Sequence, residues 1–157
     1  MITYYHKYKF LDLEKELFQK ILIANCKQLP IKAIPIEEQQ IFVSKADSII
    51  ELNLGLQKKI NRFINRIKSN LEIEKFNNKL YSFYDLDFKT FLSELKKQKI
   101  NLSLTEQDEW EDYFNTNTTE INHLLTEIEN IDKEIDQMVY VLYGLTDEEI
   151  KIVEESV

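Results

Sequence analysis

The positions Trp110, Phe114, Asn117, Ile121, Leu124, Ile128, Ile131, Ile135, Met138 and Leu142 alternate steps of four and three along the last third of the chain. That rhythm keeps one stripe of a helix turned towards a partner helix, as in a coiled-coil seam. Asn117 is its one polar rung, and a lone seam asparagine can set register at some cost in stability. A second stripe, Phe42, Ile49, Leu52, Leu56, Ile60, Phe63, Ile67 and Leu71, runs through a stretch opened by Pro35-Ile36-Glu37-Glu38. Proline in a first turn and acids beside the positive helix end both favour a start there. The two stripes predict long helices over about 37–71 and 105–143.

Shorter elements fill the remainder. Between the long helices, an insert over 74–103 carries Leu80, Tyr81, Phe83 and Tyr84, then Asp87 as a cap for a helix bearing Phe88, Phe91, Leu92 and Leu95. Ser103 with Glu106, and Thr105 with Asp108, have capping spacing at the start of the second long helix. Gly144 is suited to the left-handed position that ends it. Thr146 with Glu149 opens a terminal helix over 147–156, with Leu145 able to staple onto Ile150. Gly55, inside the first long helix, is read as a place of close backbone approach. The first 34 residues are irregular: Leu13, Leu17 and Phe18 suggest a short helix, and Ile21-Leu22-Ile23 is β-prone. Leu29 and Ile34 each precede a proline, so the chain between Pro30 and Pro35 should be extended.

The expected fold is therefore mostly α: a long antiparallel coiled-coil helical hairpin, with short helices at its ends and a small irregular, β-prone N-terminal segment. Its seam is Leu52, Leu56, Ile60, Phe63 and Ile67 against Ile121, Leu124, Ile128, Ile131, Ile135, Met138 and Leu142. A parallel coiled coil between two chains is the alternative, and it would leave the intramolecular partner unused.

Composition agrees with helices: two glycines, two prolines and 31% charged residues leave little material for sheet turns. One cysteine, Cys26, excludes an intramolecular disulfide and is expected to be small and buried. With no signal peptide and no apolar run near the ~18 residues of a membrane span, a cytoplasmic chain is expected.

Charge changes the picture more. Residues 1–71 hold 12 Lys/Arg against 7 Asp/Glu, whereas residues 72–157 hold 8 against 21. Lys58, Arg62 and Arg66 follow one another at every fourth position, with Lys59 and Lys68 alongside. Such a face can neutralise phosphates along a nucleic-acid backbone. It can equally pair with an antiparallel helix carrying Glu127, Glu129, Asp132, Glu134 and Asp136. Tyr4, Tyr5, Lys7, Tyr8 and Lys9 mix aromatics with bases, as nucleic-acid surfaces do.

No catalytic constellation emerges from the sequence. His6 and His123 lie far apart and near no cysteine cluster, which argues against a zinc site. His123 reads as a partly exposed helical residue. Two glycines cannot build a phosphate loop. The run Glu106, Asp108, Glu109, Glu111 and Asp112 lies in first helical turns, where the dipole favours acids without any metal.

The closing run Ile135-Asp136-Gln137-Met138-Val139-Tyr140-Val141-Leu142-Tyr143-Gly144-Leu145-Thr146-Asp147-Glu148-Glu149-Ile150 resembles the end of bacterial restriction–modification proteins. These are the type IIG and related N6-adenine DNA methyltransferases with a TaqI-like C-terminal specificity domain. Gln28-Leu29-Pro30-Ile31 followed by Ile36-Glu37-Glu38-Gln39-Gln40-Ile41-Phe42 resembles their junction between target recognition and helical spacer, also seen in type I specificity subunits. Phe83-Tyr84-Asp85-Leu86-Asp87-Phe88 and Leu104-Thr105-Glu106-Gln107-Asp108-Glu109-Trp110 are similar to stretches of the same proteins.

The resemblance implies a remnant of a target-recognition domain over 1–34 and a helical spacer over 35–157, hence a C-terminal piece of a longer enzyme. Its partners would be DNA and the methyltransferase or nuclease modules of the parent. S-adenosylmethionine, and Mg²⁺ if the parent cleaves, would be bound in those modules and not in this chain. The Asn-Pro-Pro-Tyr type motif of the methyltransferase is absent. Of the nuclease pattern only Asp87-Phe88-Lys89 matches, with no Pro-Asp before it. The chain alone is therefore expected not to be an enzyme. The reading from a different class is a coiled-coil interaction adaptor, homodimeric through its seam and making no DNA contact.

Overall fold

The computed structural model describes residue 9 and residues 23–73 and 76–155. Among them the chain is mostly helical, with no strand. In order come α1 (Ile23–Cys26), α2 (Ile36–Leu71), α3 (Asn78–Tyr81), a 3₁₀ turn (Phe83–Asp85), α4 (Phe88–Lys97), α5 (Leu104–Tyr143) and α6 (Asp147–Glu154). No helix among the described residues is long and apolar enough to cross a membrane.

The chain divides into two compact units, Ser44–Asp132 and Met1–Val43 with Lys133–Val157, and both α2 and α5 contribute a part to each. Throughout α5 the ten ladder positions are buried or half-buried, so the heptad phase holds along the helix.

The unit Ser44–Asp132 is built round an aromatic cluster. Phe63 of α2 lies between two rings, stacked on Phe83 at 3.7 Å and on Tyr113 at 5.4 Å. Phe91 of α4 packs against Phe114 of α5 at 4.9 Å, and Phe88 reaches the same ring at 5.5 Å. Phe63, Phe83, Phe91, Phe114, Ile67, Leu80, Leu95 and Ile121 are fully buried. The insert thus supplies half of this core. In this unit the seam positions Leu56, Ile60, Phe63, Ile67 and Ile121 are buried, whereas Leu52, Leu124, Ile128 and Ile131 are half-buried. Two helices facing each other cover only one side of a seam residue; a third layer is needed to close the other.

Local capping follows the spacing in the sequence. Asp87 accepts from the Thr90 amide at 2.6 Å, and the Asn77 side chain caps α3 by accepting from the Leu80 amide at 2.8 Å. At the start of α5, the Ser103 amide donates to Glu106 at 2.8 Å while the Glu106 amide donates to Ser103 Oγ at 3.4 Å. Beyond α4, whose C-cap is Gln98, Lys99 takes φ +67°. The Ile100 amide then reaches back to the Leu95 carbonyl at 3.1 Å.

In the other unit, α5 ends as α4 does. Gly144 has φ +67°, its amide donates to Val141 O, and the Leu145 amide donates to Tyr140 O, both at 3.1 Å. This pairing satisfies two carbonyls that the helix end would leave open. Thr146 and Glu149 form the reciprocal capping box of α6. Tyr140 and Val153 are buried, and Leu145 and Ile150 half-buried.

Several expectations need correction. Ile23 begins one turn of helix instead of belonging to a strand, because β-propensity acts only where a neighbouring strand offers a ladder; Ile21 and Leu22 lie outside the described residues, as do Leu13, Leu17 and Phe18. Cys26 is exposed, being the last residue of that single turn, which offers no core to cover it. A Cβ built on Gly55 meets nothing within 4 Å, so no backbone approaches it closely. Asn117 spends its amide on the Tyr113 carbonyl of its own helix at 2.7 Å, a bond that carries no register information between helices.

Candidate functional site

The face of α2 that bears the basic stripe lies in the unit Ser44–Asp132. Leu56, Ile60, Phe63, Ile64 and Ile67 bury one side of this helix, and that anchoring turns Lys58, Arg62 and Arg66 outwards, all three exposed. The five cations are not equivalent. Lys59 is half-buried and donates to Glu120 of α5 at 2.5 Å. Lys68 Nζ stands 5.1 Å from the centroids of both Phe76 and Tyr81 and 3.3 Å from the Tyr81 hydroxyl. Those two rings hold it by cation–π attraction and withdraw it from the stripe. Lys58, Arg62 and Arg66 make no ion pair among the described residues.

The partner expected for the stripe is displaced along α5. Lys59 meets Glu120, seven residues before the first acid of the expected set, and Glu127 instead takes His123 of its own helix at 3.2 Å. His123 is exposed, with 71% of its side-chain surface free. Tyr4, Tyr5, Lys7 and Tyr8 lie outside the described residues.

At the end of the stripe, Arg66, Asn70 and Leu71 of α2 face Glu106, Glu109, Trp110 and Tyr113 of α5 across a cleft of about 370 Å³. Glu106 is committed to Ser103, whose amide and hydroxyl both donate to it, and these bonds hold its carboxyl below the usual range. A second polar cluster has Glu94 of α4 at its centre, with 4% of its side-chain surface exposed. Lys97 Nζ donates to it at 2.7 Å, Asn77 Nδ2 at 3.0 Å, and Lys79 stands at 3.8 Å. The Lys97 bond is the main cause of its lowered pKa, with Asn77 and the charge of Lys79 adding to it. It ties the N-cap of α3 to α4 and is a structural clamp. Among the described residues no three His, Cys, Asp or Glu side chains converge to hold a metal ion.

One feature of the unit Met1–Val43 with Lys133–Val157 escaped the sequence reading. Ile34, Glu38, Ile41 and Phe42 face Gln137, Met138, Val141 and Leu142 across an open groove of about 470 Å³. Ile41 is 52% and Val141 81% exposed, so apolar side chains form its rim. Both lie off the seam; apolar residues one step outside a heptad stripe were the available signal.

Among the described residues these observations define a class: a mostly helical protein with an aromatic-centred core, an exposed cationic stripe and an exposed apolar groove. The chain belongs to the family described as domain of unknown function DUF8810, whose model matches residues 35–139. That match takes in α2 through most of α5 and therefore the cationic stripe. No curated protein and no solved structure matches the chain.

Proposed function

We propose that the chain is a helical spacer and specificity-region module of a bacterial restriction–modification enzyme. Its two long helices would form an antiparallel coiled-coil hairpin that holds a target-recognition domain at a fixed distance from the adenine methyltransferase and any nuclease module. The observation that carries the DNA-contact part of this reading is the exposure of Lys58, Arg62 and Arg66 on one face of a helix anchored on its other side. Four residues advance a helix by about 6 Å, so the three charges form a line that can follow a phosphate backbone. Catalysis, S-adenosylmethionine and Mg²⁺ belong to the partner modules in this reading, within a cytoplasmic enzyme.

Binding of a duplex oligonucleotide to the full chain should weaken with salt and vary little with sequence. Three phosphate contacts correspond to a slope of about −2.7 in log K against log salt. A Lys58→Ala, Arg62→Ala, Arg66→Ala variant should lose most of that slope. Unchanged binding and slope in the triple variant would remove the stripe from the DNA interface.

The alternative, an interaction adaptor that makes no DNA contact, draws on the exposed apolar residues Leu54 at 67% and Val141 at 81%. Sedimentation equilibrium separates the two. A stable homodimer with no measurable DNA binding at low salt favours the adaptor.

A further inference from the structure

The groove between the start of α2 and the end of α5 belongs to the unit Met1–Val43 with Lys133–Val157 and has no role in the DNA reading. Its floor is Ile34, Phe42, Met138 and Leu142, all half-buried, and its rim is Ile41 and Val141 with Glu38 and Gln137. Glu38, Ile41 and Phe42 share a face of α2, with Ile34 just before its start, and Gln137, Met138, Val141 and Leu142 share a face of α5, so two mainly apolar ridges line the channel. A channel of this kind takes an amphipathic helix, read through apolar anchors three and four residues apart. Met138 in the floor adapts to anchors of different shape. Apolar side chains as open as Val141 mark an interaction surface when they are contiguous with others, as here.

Charge selects the occupant. Glu38 lines the groove, Glu37 and Asp136 are exposed one residue away, and no cation lines it. The described parts of this unit hold five lysines, at 9, 27, 32, 133 and 151, against nine carboxylates. One of the five, Lys32, has its Nζ on the Leu142 carbonyl at 2.6 Å. A second copy docked through the same groove would set Glu37, Glu38 and Asp136 against their own counterparts, like charge on like. We infer that the groove is a docking site for a basic amphipathic helix of a partner protein, with apolar anchors between Ile41 and Val141 and lysines or arginines against Glu37, Glu38 and Asp136.

The probe is a fluorescein-labelled 18-residue helical peptide with leucines on one face and lysines on the other, titrated with the full chain. A counterpart with glutamates in place of the lysines serves as comparison. The lysine peptide should bind and the glutamate peptide should bind at least about tenfold more weakly, a difference of about 1.4 kcal/mol. Val141→Glu and Ile41→Glu make the decisive variants, since each removes apolar surface while adding negative charge. Both residues are exposed, and unchanged circular dichroism checks the fold; two positions on different helices guard against a fault in either one. Binding of the lysine peptide should fall about tenfold or more in each folded variant. Equal or tighter binding in the variants reduces the effect to bulk charge and overturns the groove. A wild-type homodimer that Val141→Glu dissociates makes a second copy the occupant and overturns the inferred partner. Loss of DNA binding in the stripe variants has no bearing on this result, so the two proposals fail separately.

Discussion

The backbone amide of Lys32 donates to the hydroxyl of Tyr143 at 2.9 Å across 111 residues of sequence. The same hydroxyl donates to the Pro30 carbonyl at 2.6 Å, and Lys32 Nζ donates to the Leu142 carbonyl at 2.6 Å. One tyrosine at the C-terminal end of α5 therefore serves both a donor and an acceptor of the chain leading into α2. The lysine charge meets the negative end of the helix, where a cation is favoured. Tyr143→Phe keeps the ring and removes both hydroxyl bonds. It should lower stability by about 1–2 kcal/mol, measured by urea denaturation. Stability equal to wild type would show that water replaces the hydroxyl without loss.

Gly55 lies inside α2 with open space where a Cβ would stand. Alanine there keeps the helix and gains intrinsic propensity. Gly55→Ala should raise stability by about 1 kcal/mol, seen as a higher denaturation midpoint with an unchanged slope. A destabilised variant would mean that a neighbouring backbone comes closer than the structure places it.

Thr118 Oγ1, on α5, is buried without a hydrogen-bond partner. A hydroxyl deprived of water and of a partner costs stability. Thr118→Val has nearly the same shape and should be neutral or more stable by up to about 1–2 kcal/mol. A clear loss would reveal a bond or a bound water at that hydroxyl.

The carboxyls of Asp87, Glu94 and Glu106 are all held below their ordinary values, chiefly by Thr90, Lys97 and Ser103 respectively. Each folded pKa is thus lower than the unfolded one. The stability these groups confer is complete above their ordinary values of 3.8 for Asp and 4.5 for Glu, and is lost as pH falls through the lower folded values. Thermal denaturation should show a midpoint that is flat near neutrality and drops below about pH 4.5. In Glu94→Gln the drop should be shallower and the neutral-pH midpoint lower, since a neutral amide gives up the ion pairs with Lys97 and Lys79. An identical acid profile would take Glu94 out of the transition.

The two long helices were legible because a stripe at steps of three and four has one helical solution. The observed bounds, Ile36–Leu71 and Leu104–Tyr143, lie within one residue of the expected ones. Caps were legible for the same local reason: Ser103 with Glu106, Asp87 with Thr90, and Thr146 with Glu149 act within a single turn. The site was half legible. The spacing of Lys58, Arg62 and Arg66 placed them on one face. Nothing in that spacing distinguished them from Lys68, which Phe76 and Tyr81 hold after the chain has turned back at the end of α2.

The sequence by itself determined the helices, their phase and their ends, since propensity, capping and periodicity are properties of neighbours along the chain. Only the tertiary structure decided which stripe residues became core. Phe63, Phe114 and Ile121 are closed off where the Phe83 and Phe91 insert packs on them, whereas Phe42, Met138 and Leu142 remain at the floor of an open groove. It also decided that Lys59 pairs with Glu120 and that Tyr143 holds Lys32. These contacts depend on how distant segments meet in space, and burial and pairing follow from that meeting, which no local pattern records.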